Sequence, residues 1–142
     1  MATTIIIPDK EMRIQAENCL HFANSFLSTL QKSLVNEKSR FDNDMLYNLA
    51  VMSTEKYFVA LLARYDWNAT HHMPIALYKE ALTLDPELPL NMKQTAILVG
   101  KFEAICSLDG FGYHTPSTKE LQNMSVGLQE IKEWVEMRMS EI

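Results

Sequence analysis

Long apolar runs are missing from this 142-residue chain, and no stretch approaches the roughly 18 residues that a membrane span requires. The N-terminus lacks the basic start and apolar core of a secretory signal, so the chain is expected to be cytoplasmic. Cysteine is nearly absent: Cys19 and Cys106 stand 87 positions apart, each in an apolar helical stretch, which predicts two buried thiols rather than a disulfide or a nucleophile. Glycine is as scarce, at 4 residues, and no glycine-rich loop is present to cradle a nucleotide's phosphates. There is no Gly-x-Ser-x-Gly elbow and no Glu-x-x-His pair of the kind that di-iron bundles use. His21, His71, His72 and His114 show no ligand spacing, so neither a metal nor a cofactor is expected. A basic stripe is lacking too. Net charge is −5, with residues 66–142 carrying six Lys/Arg against eleven Asp/Glu, which disfavours sequence-independent binding to a phosphate backbone.

What the chain has is helical periodicity. The densest stretch runs from Asp44 to His72, and its first twenty or so residues hold neither Gly nor Pro, which reads as a long, largely buried helix. Its apolar residues Leu46, Leu49, Ala50, Tyr57, Phe58, Leu61 and Leu62 lie on more than one face, so it needs neighbours on several sides, within one chain or across a homodimer. Ahead of it, residues 2–7 form a β-branched run, an N-terminal arm over residues 1–8. Pro8 is a fitting first-turn residue for a helix over about 9–35, with Ala16, Leu20, Ala23, Leu27, Leu30 and Leu34 on one face. A polar break at 36–41 follows, where Lys32, Lys38 and Arg40 cluster at a solvated hairpin end, and Asp42 or Asp44 caps the central helix of about 43–65.

A shorter helix starts at Pro74 and is stopped by Asp85-Pro86 and Leu88-Pro89. Asn91 is a good cap for a fourth helix to about Ser107, a loop follows over 108–116, and Ser117 with Glu120 forms a capping-box pattern for the last. The 9 Met residues read as gap fillers between helices. The expectation is one all-α domain over residues 1–142, an up-and-down bundle of four long helices and one short one.

Within this frame Glu55, Lys56, Ala60, Leu61 and Leu62 are followed by Thr70-His71 and then Ala76-Leu77. Residues 47–82 resemble the HEPN domain, a helical bundle whose core helix bears such a Glu-Lys and Ala-Leu-Leu pattern, followed by a Thr-His loop and a short helix. The resemblance implies a nucleotide-binding module or a metal-independent RNase, often a toxin paired with a nucleotidyltransferase-like antitoxin, and it implies a homodimer. RNases of the family carry an arginine followed within about four to six residues by a histidine, and Arg64 and His71 have six residues between them. Many relatives have Arg-Tyr-Pro before the last helix. This chain has Gly112-Tyr113-His114-Thr115-Pro116, keeping the tyrosine and losing a guanidinium that holds phosphate in two places.

Two function classes follow. The first is a HEPN-like non-catalytic module binding a nucleotide, RNA or a partner protein, with Lys56, Arg64, His71, His72 and Tyr113 as ligand-binding residues. The second is an endoribonuclease with Arg64, His71 and His114 as catalytic candidates, in which an imidazole moves the ribose 2′-hydroxyl proton and a cation stabilises the phosphorane-like charge. The acidic balance and the missing arginine favour the first.

Overall fold

The computed structural model describes residues 6–106 and 115–142, and among them every regular element is a helix. The elements are α1 (Lys10–Val35), α2 (Asn43–Arg64), α3 (Pro74–Leu84), α4 (Leu90–Cys106) and α5 (Thr118–Ser140). The expected all-α bundle is what forms, four long helices and one short.

Most ends are set by the side chains that the sequence offers. Asp9 caps α1 by accepting from the Met12 amide, so Pro8 lies one residue outside the cap rather than in the first turn. Asp42, not Asp44, caps α2 and accepts from the Met45 amide. Pro74 opens α3 at its first turn, where a missing N–H leaves no hydrogen bond unmade. Ser117 and Glu120 complete a reciprocal capping box at α5. Asn91 falls inside α4, which starts at Leu90, and its amide donates to Glu130 on α5 instead of capping.

The direction of each helix follows from which residues meet. Asn24 and Gln31 of α1 bond Glu136 and Gln129 of α5, an antiparallel pair. The Asn43 amide at the start of α2 reaches the Pro116 carbonyl beside the start of α5, and Arg64 at its end reaches the Arg138 carbonyl, a parallel pair. Thus the four long helices alternate. The short α3 departs from that alternation. His72 lies by Glu55 and Tyr78 packs edge-on against Phe58, so the loop after α2 climbs back along it and α3 descends in the same sense.

Helix α2 touches all four other helices, and twelve of its residues are buried, among them Tyr57, Phe58, Leu61 and Leu62. Neighbours on several sides are therefore supplied within one chain. Its buried hydroxyls are all answered: Ser53 donates to the Ala23 carbonyl of α1, Thr54 to Ala50, Tyr47 to Val99 of α4 and Tyr57 to Asn24. Methionine serves two purposes, since Met92 and Met124 are core residues while Met45, Met52, Met73 and Met137 are exposed. Cys19 is the buried thiol expected, and burial raises its pKa against the opposing charge of Lys56; the Cys106 side chain lies outside the described residues.

At the lower end of the bundle the chain is locked by charge. Asp85, 2% exposed, accepts from Nε and Nη2 of Arg138 at 2.9 and 3.1 Å and from the Trp134 indole at 3.1 Å. Arg138 also meets Glu87 and Glu141 and lies over the Trp134 ring. Burial would raise the Asp85 pKa, but the hydrogen bonds and charge of Arg138 hold it below the usual carboxylate range. Burial and the nearby Asp85 charge push the Tyr65 phenol up to about 12.

Candidate functional site

The loop between α2 and α3 is shaped by its first and last residues. Helix α2 ends in a Schellman-type turn: the Asp66 amide donates to Ala63 and the Trp67 amide to Leu62. Asp66 takes the left-handed conformation that this turn requires, with φ 60°, where glycine is the usual occupant. From there the chain turns upward, and Glu80 of α3 gathers it.

Glu80 is the hub of this loop. Its Oε2 accepts from the Trp67 indole and from the Thr70 hydroxyl, both at 2.8 Å, and its carboxylate takes the Thr70 amide at 3.1 Å. Nδ1 of His71 lies 3.1 Å from Oε1. Burial alone would raise the pKa of this carboxyl, yet the donors Trp67, His71 and Thr70 lower it to about 2. An ionised carboxylate only accepts, so the His71 Nδ1 that faces it donates, and Nε2 is the ring nitrogen left to other partners. With the Glu80 side chain 8% exposed and that of His71 54% exposed, the buried acid orients an accessible imidazole. That pairing is not readable in the sequence, where nine positions separate the two residues.

The remaining expected residues fall in three places. His72 is the most exposed, 89% at its side chain, with Nδ1 3.9 Å from Glu55. Lys56 is partly exposed one position beyond Glu55. Together with Trp67 and Met73, 46% and 43% exposed, these imidazoles make a mixed aromatic, apolar and polar surface on the loop. Arg64 is elsewhere: it is 3% exposed, its Nε donates to the Arg138 carbonyl at 2.8 Å and its Nη1 to the Ile6 carbonyl at 2.7 Å. It ties the arm and the end of α5 to α2, and its partners are wholly different from those of His71. Tyr113 and His114 lie outside the described residues. Among the described residues no group of three or more His, Cys, Asp or Glu is arranged to hold a metal ion, and no helix is long and apolar enough to cross a membrane.

No family model, curated protein or solved structure matches this chain.

Proposed function

We propose that the chain is a HEPN-like, non-catalytic binding module that uses the loop between α2 and α3 as its contact surface. The observation that carries this reading is the burial of Arg64. An RNase of this kind needs a cation beside the scissile phosphate, and the Arg64 guanidinium is enclosed and bonded to two backbone carbonyls. The ligand is a nucleotide, an RNA segment or a partner protein. A partner protein is favoured, because half-exposed Trp67 and Met73 beside two histidines match the residue types that anchor protein interfaces. The net charge of −5 points the same way, away from a polyphosphate backbone. The family resemblance suggests a nucleotidyltransferase-like protein as that partner.

The second reading, a metal-independent endoribonuclease, rests on the His71–Glu80 pair. In it Nε2 of His71 accepts the 2′-hydroxyl proton while the Glu80 carboxylate holds Nδ1. One assay separates the two. Purified protein incubated with total RNA in EDTA leaves the RNA intact if the chain is a binding module. Cleavage that His71→Ala lowers by about 100- to 10,000-fold establishes the RNase instead.

A further inference from the structure

The far end of α2 carries a second feature that the loop site does not use. The turn joining α1 to α2 forms an open surface cleft of about 410 Å³, lined among others by Lys32, Asn36, Lys38, Ser39, Arg40 and Phe41. Its size falls within the roughly 300–1,000 Å³ usual for small-molecule sites. His72 and Lys56 of the α2–α3 loop surface lie at the level of Glu55, 12 residues or about 18 Å along α2 from this turn, and no residue belongs to both. In a chain of net charge −5, three cations line this one cleft and no carboxylate does. Lys32, Lys38 and Arg40 form no ion pair among the described residues.

The turn holds these groups in place through its own polar atoms. Asn36 Oδ1 accepts from the Lys38 amide at 3.0 Å, and Ser39 Oγ accepts from the Phe41 amide at 3.3 Å. Each of these side chains also carries a donor, the Asn36 NH2 and the Ser39 hydroxyl. The cleft therefore offers cations and donors, the complement of an anion. The carbonyl end of α1 opposes an anion with about half a charge, which three full positive charges outweigh. Phe41, 40% exposed at the rim, adds an aromatic face.

We propose that this cleft binds a small phosphate monoester, with the phosphate held by Lys32, Lys38 and Arg40 and a planar ester group lying on Phe41. Arg40 contributes the forked donor pair that a phosphate takes in two places, and the lysines contribute point charges. The ring accounts for selectivity, because inorganic phosphate gains nothing from it.

The test is a titration of the full-length, 15N-labelled chain followed by amide NMR shifts, with phenyl phosphate, inorganic phosphate and phenol as probes. Phenyl phosphate shifts amides within residues 29–41, inorganic phosphate does so about five- to tenfold more weakly, and phenol leaves them in place. Arg40→Gln weakens phenyl phosphate about tenfold, and Lys32→Gln/Lys38→Gln/Arg40→Gln abolishes the response. Phe41→Ala reduces phenyl phosphate to the level of inorganic phosphate. All four side chains are exposed, so the variants keep the native amide spectrum outside the turn. Silence at residues 29–41, an equal response in the triple variant, or shifts with phenol as large as with phenyl phosphate would each overturn the proposal. So would binding of a single-stranded RNA 12-mer without any response to phenyl phosphate, which would mark the turn as a nucleic-acid backbone contact.

Discussion

Glu80 shows how one side chain can organise a loop that has no regular structure. Four donors converge on it from three residues, and they hold its folded pKa at about 2, well below the usual carboxylate range. A depressed carboxyl stabilises the fold above its unfolded pKa, and that stabilisation drains away as pH falls from about 4.5 to about 2. Glu80→Gln is therefore expected to lower stability at pH 7 by about 1–3 kcal/mol, the usual range for hydrogen bonds to a charged group. The deficit shrinks towards pH 2, and urea titrations at both pH values measure it. Asp66 offers the opposite opportunity. At φ 60° a glycine is free of the Cβ penalty, and the hydrogen bond lost, from the Asp9 amide at 3.3 Å, is long and exposed. Asp66→Gly is expected to stabilise by roughly 0.5–1 kcal/mol and Asp66→Ala to destabilise, read from the urea midpoint. Neither residue was legible as special in the sequence. Asp66 looks like an ordinary loop aspartate, because a left-handed turn position without glycine has no mark in the sequence, and Glu80 looks like a solvated helix position, because its partners come from the loop before α3.

At the scale of helices, far more could be read in advance. Three- and four-residue apolar spacing locates α1, Asp42 or Asp44 and the Ser117–Glu120 pair mark two starts, and Asp85-Pro86 marks the end of α3. These signals are local, and local signals survive folding. Arg64 is expected at a ligand because its spacing to His71 fits the arginine–histidine pattern of the family it resembles. Here the end of α5 and the arm cover it, which depends on how distant segments pack. The climb of the α2–α3 loop is non-local in the same way. Two helical glycines separate packing from propensity. A Cβ on Gly127 would overlap the Thr95 hydroxyl of α4 and lie 2.8 Å from its methyl group, so this glycine permits α4 and α5 to approach. On Gly100 it would meet only the Pro74 ring, at 3.7 Å. Gly127→Ala should cost about 1–3 kcal/mol through overpacking. Gly100→Ala should gain roughly 0.5–1 kcal/mol by helix propensity alone. Thermal unfolding of both variants tests the pair, and equal shifts would mean that the α4–α5 contact is looser than its geometry.

For the whole molecule the open question is whether one chain stands alone. The apolar faces of α2 do not demand a second copy, because α1, α3, α4 and α5 cover them within the chain. A homodimer must instead rest on what stays uncovered. Phe22 on α1 and Met52 on α2 are 51% and 39% exposed, and each is the neighbour of a residue in the Ala23–Ser53 contact that joins the two helices. Met45, 46% exposed, lies two turns before Met52 on α2. Scattered exposed apolar residues are ordinary, but a large aromatic beside a methionine on two packed helices is a surface that a two-fold axis can match to itself. We propose that two chains pair through this α1–α2 face, with Phe22 of each at the centre. The mass in solution is then twice the 16.3 kDa of one chain. Phe22→Glu places a charge at the centre of a self-matched patch, where it meets its own copy and lacks a counter-ion, so the variant is expected to run as a folded monomer. Light scattering at micromolar concentration decides it. A monomeric wild type would remove the dimer, and a dimer that persists in Phe22→Glu would place the interface on another face.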